Sequence, residues 1–490
     1  MNDLKKEEND AFFKHLKVIM VGFMISIFMF SLDSSITSTA MPKIIASLGG
    51  LEYYIWPFTI YLAALTISMM LSGKLSDFYS NKKIIMGALA TFIISSVLCG
   101  LSGNMIELII FRGLQGLGGG MLIVVPLKMS GEIIPIRQRG KYMGLISSIS
   151  VISAVIGPTL GGFITDTLGW QWIFFINFPL GIVAILLLWT YLPDIGTIIK
   201  EKIIDYAGII TFTVGLSSFL IALTFIQQNT NISTSVVVSL FALAAIMLLA
   251  FLYAEKHAKE PVLPLYLFKN STFNISAIAM AIIGAILLNS STYVPLFLQG
   301  VQGMSASNAG ALVSPMLISS AIMAIVGGGI FSKTGRYKII VISSFGFFIL
   351  GMGLLSTMTF STTILEVVIY SMLVGIGLGL SIPIFTIVSQ DAVVKRDMGV
   401  ATSSIQFFRN FGSVVGLAIL GAIVDLTLNL NLQTTTTSIQ PALLNTAMHN
   451  VFITGLIIGI TGFMVCIFLK ERLMSDEMKE EKTNYKKTQG

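Results

Sequence analysis

The stretch FMFSLDSSITSTAMP, Phe28 to Pro42, sets a carboxylate, Asp33, inside an apolar run long enough to cross a lipid bilayer. An ionised side chain at that depth costs ~2.5–3.5 kcal/mol on helix-insertion scales, so it is retained where it faces other helices or a wet cavity. If the run starts at residue 17, Asp33 lies about sixteen residues in, ~24 Å along a helix, within a hydrocarbon core of ~30 Å. Ser31, Ser34, Ser35 and Thr37 surround it with small hydroxyls suited to a polar path. The pattern points to a proton or cation site; the alternative is a carboxylate that snorkels to the membrane surface.

Similar runs recur along the chain at 17–41, 53–73, 83–102, 105–127, 140–164, 171–192 and 204–227. They continue at 234–254, 272–299, 306–332, 337–358, 363–387, 398–425 and 449–470. Of the 490 residues, 54% are hydrophobic and only 11% charged, against about 25% charged in a soluble chain. Polar intervals are too short for a soluble catalytic domain. The fold class is therefore an all-α polytopic membrane protein with fourteen transmembrane helices. MNDLKKEENDAFFKHLK is too charged and too long to open a cleaved signal, and no A-x-A site ends the first run. Cys99 and Cys466 fall mid-span in separate segments, which implies neither a disulfide framework nor a metal cluster.

The formal net charge of +6 is a matter of topology. Of thirty Lys and Arg, Arg112 and Arg409 fall within runs and Lys43 faces one side alone, leaving twenty-seven on the face shared by both termini. By the positive-inside rule that face is cytoplasmic. A nucleic-acid partner gains no support from this distribution.

An internal repeat comes next. GKLSDFYSNKK (Gly73 to Lys83) follows the second run and GGIFSKTGRYK (Gly328 to Lys338) the tenth. Both occupy the same place within a six-run group when the seventh and eighth runs are set aside. The organisation expected is a tail at 1–16, a six-helix bundle at 17–192, an inserted pair at 193–260, a second bundle at 261–470 and a tail at 471–490. Homologous bundles with a binding site at midplane are a transporter architecture.

At this point the residues resemble the major facilitator superfamily, specifically its fourteen-span drug:proton antiporters of bacterial cell membranes. LDSSITSTAMP (Leu32 to Pro42) is similar to the first-span motif. GKLSDFYSNKK resembles the cytoplasmic loop motif through Gly73, Asp77, Lys82 and Lys83, with Phe78, Ser80 and Asn81 in place of arginine, glycine and arginine. FRGLQGLGGG (Phe111 to Gly120) resembles the fourth-span arginine motif, including Arg112, Gln115 and Gly116. GPTLGG (Gly157 to Gly162) resembles the fifth-span motif of antiporters, and WQWIFFINFPLG (Trp170 to Gly181) the entry to the sixth span. The resemblance implies two six-helix bundles with two extra spans between them. It also implies export of a small amphipathic molecule in exchange for protons, with no cofactor beyond the proton gradient and with both termini cytoplasmic. The chain is expected to act as a monomer.

Roles follow residue by residue. Asp33 would carry the proton, and Arg112, about seven residues into an inward-running span, overlaps its range of depth. Trp56, Tyr61, Gln115, Tyr293, Phe297 and Arg409 are candidates for the substrate cavity, since ring faces attract cations and Arg409 has no acidic neighbour in sequence. Arg409 could equally satisfy backbone carbonyls. Gly157, Pro158, Gly161 and Gly162 would seal the outer side: small-xxx-small spacing permits close helix approach, and proline removes a backbone hydrogen bond. Gly73, Asp77, Lys82, Lys83, Lys333 and Arg336 would latch the inner side. Glu107, Glu366 and Asp425 lie near outer interfaces. GLQGLGGG lacks the spacing of a phosphate-binding loop and follows no strand. His15, His257 and His449 are scattered, so an enzyme is not expected. A channel would show rings of like charge or a filter loop, and a sensor an appended soluble domain. A narrow exporter of one antibiotic, lipid or metabolite uses the same scaffold.

Overall fold

Lipid offers no partner to the backbone, so a chain that spans it closes each N–H and C=O inside helices. The computed structural model describes residues 2–50, 53–193, 205–227, 233–432 and 441–471, and among them the regular structure is helical. In chain order the helices are α1 (Asn2–Leu48), α2 (Trp56–Phe78), α3 (Asn81–Gly100), α4 (Met105–Ile133), α5 (Ile136–Thr167), α6 (Trp172–Phe175), α7 (Asn177–Tyr191) and α8 (Tyr206–Gln227). They continue as α9 (Thr234–His257), α10 (Ser271–Gly300), α11 (Ala306–Ala311), α12 (Ser314–Thr334), α13 (Lys338–Ser356), α14 (Ile364–Asp391), α15 (Met398–Leu432) and α16 (Pro441–Ile467). Among the described residues fourteen spans are long and apolar enough to cross a membrane, with α6 joined to α7 in one and the end of α11 to α12 in another.

The fourth span runs past the apolar limit at 127. Lys128 is only 2% exposed within α4, and its Nζ donates to the Ser76 carbonyl at 2.7 Å and to Ser76 Oγ at 2.9 Å. Those acceptors on α2 let the helix continue through a charge that sequence reasoning places in a loop.

Two compact units emerge. One comprises residues 1–129, 149–269 and 393–407; the other comprises 130–148, 270–392 and 408–490. In the first, α1 packs on α7 and α3 on α6 and α7, while the pair α8 and α9 is attached through α2. Thr59 and Thr224 hydroxyls meet at 3.0 Å, and Trp56 sets its ring edge against Phe225. In the second, α12 and α13 pack on α14, and α10 and α13 on α16. The start of α15 belongs with the first unit, where Gly73 lies against Gly399 and Ser403. The start of α5 belongs with the second, where Gly140 lies against Gly328. The two glycines that open the repeated loops are thus both close-approach points.

The duplication extends into the helices. Gly116 and Gly120 of α4 press on α2, and Gly118 presses on α3. At one constant interval along the chain, Gly375 and Gly379 of α14 press on α12, and Gly377 presses on α13. The same interval carries Glu107 to Glu366, each in the first turn of its helix. Glu107 accepts from Gly103 N at 2.8 Å, and Glu366 from Thr363 N at 2.7 Å in a capping box. Both acids therefore satisfy helix ends.

Glycine at these points is a steric requirement. A Cβ on Gly118 would stand 2.8 Å from Phe92 N and 2.9 Å from Ala88 O, whereas one on Gly87 of α3 meets nothing within 4 Å. Gly118→Leu is expected to cost about 1–3 kcal/mol or more through overpacking. Gly87→Leu should be near neutral. Thermal unfolding of both variants in detergent checks the contrast.

Candidate functional site

The first unit brings Asp33 of α1 and Arg112 of α4 into a buried ion pair, Nη1 to Oδ2 2.6 Å, with side chains 0% and 1% exposed. Arg112 is among the largest fully buried side chains of the protein. Three residues along α4, one turn of helix, Gln115 donates through Nε2 to Asp33 Oδ1 at 2.8 Å and accepts from Arg112 Nη1 at 2.8 Å. Asn177, the first residue of α7, donates through Nδ2 to the same Oδ1 at 3.0 Å and to Ser96 Oγ at 2.9 Å. Ser96 in turn donates to the Phe174 carbonyl at 2.8 Å, which ties the group to the α6–α7 junction. Cys99 points its thiol at Gln115 Oε1.

An aromatic face completes the site. The guanidinium carbon of Arg112 stands 3.9 Å from the centroid of the Tyr61 ring and 5.9 Å from that of Phe174. The Tyr61 hydroxyl lies 3.3 Å from Ser34 Oγ. Within cation–π range, Tyr61 helps hold a cation that has left water. Arg112 Nε and Asn177 Oδ1 make no hydrogen bond. The site therefore presents one carboxylate with three donors and leaves two polar atoms unused.

Asn177 is the member that sequence reasoning missed. It stood inside the WQWIFFINFPLG stretch, where an uncharged amide carries no hydropathy signal. Asp33, Arg112, Gln115 and Tyr61 come together as a cluster, although Gln115 and Tyr61 were expected as cavity contacts. Trp56 is half-buried against Phe225, whereas Tyr293 and Phe297 are buried in the second unit. Arg409 is half-buried on α15, makes no ion pair among the described residues, and sets its carbonyl against Gly284 of α10. Gly157 and Gly161 of α5 pack on α1 at Ser35, Ile36 and Thr39, within two turns of Asp33. Pro158 lies exposed inside the same continuous helix, and Gly162 meets no neighbour.

On the loop side, Lys82 sits 5.7 Å over the Trp189 ring, and Lys83, Lys333 and Arg336 are exposed. The side chains of Asp77 and Asp425 fall outside the described residues. A charge cluster that the sequence does not reveal ties this region of the first unit together. Lys74 at the end of α2 pairs with Glu260 Oε2 at 2.6 Å, and Arg396 bonds to Glu260 Oε1. Tyr266 donates to Asp397 at 2.6 Å. Among the described residues no group of three or more His, Cys, Asp or Glu stands close enough to hold a metal ion.

Fourteen spans among the described residues, a duplicated helical pattern and a buried ion-pair site inside one helix group mark a polytopic membrane protein. Residues 23–417 match the Major Facilitator Superfamily, and the chain belongs to that family. It is a multi-pass membrane transporter and not an enzyme. It is 38% identical over 413 residues to the multidrug transporter protein MdtP of Bacillus subtilis, covering 83% of this chain and 75% of that one. It is 33% identical over 407 residues to multidrug resistance protein 3 of the same organism, covering 83% and 79%. In fold it is similar to the crystal structure of the human organic anion transporter MFSD10, with TM-score 0.66 and 11% identity over 92% of this chain and 99% of that one.

Removing one partner of a buried pair strands the other charge, at a cost of about 3–5 kcal/mol. Arg112→Ala should lose that much stability, whereas Asn177→Ala should lose about 1 kcal/mol, the net worth of a typical hydrogen bond. Denaturation of the purified variants in detergent measures both.

Glu260 lies outside the spans. Burial works to raise its carboxyl, but the hydrogen bond and charge of Lys74, with those of Arg396, outweigh burial and hold it below the ordinary value. A depressed carboxylate contributes stability in full above its unfolded value, about 4.3 for Glu, and loses it as pH falls through the folded value. The difference in melting temperature between the protein and Glu260→Gln should therefore be present at pH 6–7 and shrink below about pH 4. It should be modest, and smaller in high salt, since Arg396 is exposed.

Proposed function

We propose that the protein is a proton-coupled secondary active exporter that extrudes hydrophobic, monovalent cationic or neutral amphipathic compounds by alternating access. The observation that carries this reading is the buried Asp33–Arg112–Gln115–Asn177 group, an ionisable site held by three helices. An ionised Asp33 satisfies Arg112. A proton arriving on Asp33 removes the charge that Arg112 faces and converts one acceptor into a donor, so the group must rearrange. That rearrangement is a means by which proton loading biases one state of the transporter over another.

The helices around the site have the contacts to transmit such a change. Gly157 and Gly161 of α5 touch α1 just beyond Asp33, so the two helices shift together or lose close packing. In this reading the glycine motif of α5 seals the outer side. The loops near Asp77 and Lys333 latch the inner side, and the groups 17–192 and 261–470 are the alternating halves. The pair at 193–260 accompanies the first. Both termini lie in the cytoplasm, because twenty-seven of thirty basic residues share their face. The names of the Bacillus relatives, a multidrug transporter and a multidrug resistance protein, favour drug efflux over a narrow exporter of one metabolite. The first two spans of the second half contain no acid, which favours singly charged or neutral cargo.

Protein reconstituted in liposomes with an internal pH dye tests the reading. Addition of a monovalent lipophilic dye cation should trigger proton flux, and Asp33→Asn, which keeps an acceptor for Arg112 but lowers stability, should reduce that flux at least tenfold in the protein that reconstitutes folded. Flux that survives the substitution would move the coupling site elsewhere.

A further inference from the structure

An apolar groove of about 670 Å³ opens on the first unit where α3, α5, α6 and α7 meet. Val97 of α3, Ile164 and Leu168 of α5, and Trp172 and Phe175 of α6 line it, and every lining side chain is aliphatic or aromatic. Packing fixes these walls. The Phe175 ring lies 2.5 Å from where a Cβ on Gly100 would stand, and Trp172 meets that ring edge-on with centroids 5.8 Å apart. Ile164 is buried and also belongs to the apolar cluster that holds Ile36, Cys99 and Phe174. The groove thus backs onto the core beside Asp33.

What fills the groove follows from where it opens. Phe163 and Leu168 of α5, with Trp172, Phe178 and Ile182 of the α6–α7 span, are exposed around it, so it is continuous with the apolar outer surface of the spans. In a membrane-spanning protein that surface faces hydrocarbon. Water has no polar partner in such a groove, and a void forfeits the dispersion contacts of its lining. The connecting segments at this end, 101–104 and 168–171, carry no charged residue, and Lys43 is already paired with Asp166. Recognition is therefore of a hydrocarbon chain by shape. The junction at the groove has a further property. Pro179 has no N–H to give the Phe175 carbonyl one turn back, and the span is interrupted at Ile176, between α6 and α7. Phe175, Ile176 and Phe178 turn to the groove, while Phe174 accepts from Ser96 and Asn177 donates to Asp33 on the buried side.

We propose that the groove seats one acyl chain of a membrane phospholipid, and that the seated chain braces the α6–α7 junction and so keeps Asn177 and Ser96 in register with Asp33. Such a seat goes beyond the export reading and does not depend on what the cargo is. Bulk lipid touches exposed side chains in proportion to its abundance, whereas a chain held between four helices saturates. An interrupted span has fewer backbone hydrogen bonds to hold it, so loss of side-chain contacts there favours local opening. Cys99 reports that opening. It is buried, and its thiol points at Gln115 Oε1 inside the Asp33 site, so reagents reach it when the junction loosens.

The test uses the full chain in detergent, stripped of lipid and titrated with dioleoyl phosphatidylcholine whose chains are dibrominated, since bromine quenches tryptophan on contact. Trp172 lines the groove, and Trp189 is exposed on the same span away from it. Each is read as the sole tryptophan, with phenylalanine at the other three positions. Quenching of Trp172 should saturate at a single lipid equivalent, whereas that of Trp189 should rise in proportion to the lipid added. Val97→Phe, which fills the groove, should weaken the saturable binding at least fivefold. With Cys466→Ala in place, unbrominated lipid should slow maleimide labelling of Cys99 at least threefold, and should leave the labelling of Val97→Phe unchanged. If Val97→Phe does not fold, Leu168→Phe on the exposed rim carries the same expectations. Proportional quenching at both tryptophans would mean bulk lipid alone and would overturn the proposal, as would Cys99 labelling that lipid does not slow. Relief of quenching by tetraphenylphosphonium more readily than by unbrominated lipid would give the groove to cargo instead. A dimer in native mass spectrometry that shields Trp172 would give it to a second copy of the chain. Absence of pH-driven transport in liposomes would sink the export reading and leave the lipid seat standing.

Discussion

The buried ion pair between Asp33 and Arg112 is the constraint around which the first unit is arranged. Two charges removed from water cost several kcal/mol each and are tolerated only with good geometry and further hydrogen bonds. Here α4 supplies both the cation and Gln115 one turn away, α7 supplies Asn177 at its first residue, and α2 supplies the ring of Tyr61. Satisfying one carboxylate thus fixes the rotation of four helices. The glycines of α4 follow from the same need, because Arg112 reaches α1 only if α4 lies close on α2 and α3.

Duplication explains much of the remainder. The helix-start acids Glu107 and Glu366 and the glycine triads of α4 and α14 do the same local work in the two groups. Selection for a packed, capped membrane helix acts on both halves equally, since lipid leaves helix ends and interfaces few alternatives. The halves diverge where chemistry is concentrated. The first carries a charged site whose carboxylate collects three donors, and the second carries neutral polar atoms without partners. Arg409, half-buried and without an acidic partner among the described residues, is a further departure from the first half.

Much of the candidate site was legible beforehand, because intramembrane charge is conspicuous. Asp33 and Arg112 stand out as costly residues in apolar runs of overlapping depth, whereas Gln115 enters only through the motif resemblance, as a cavity contact. Asn177 escaped, since an amide neither interrupts an apolar run nor signals its direction. Lys128 was misplaced for a related reason: hydropathy ends a span at the first charge, whereas a lysine donating to Ser76 can remain inside the helix. The Lys74–Glu260–Arg396 cluster joins residues far apart in sequence, and no local pattern connects them.

Length and apolarity of the runs alone determined that the chain is a fourteen-span helical membrane protein, because a backbone in lipid has no stable alternative to closing its hydrogen bonds within each span. The loop repeat at Gly73 and Gly328 likewise followed from sequence. Which atoms meet was decided only by tertiary structure. Helix rotation and close approach, set by glycine contacts and buried charge, chose three donors for Asp33 and a ring for Arg112. The same packing left the buried amide of Asn289, on α10, with none, and no property of an isolated span records that difference.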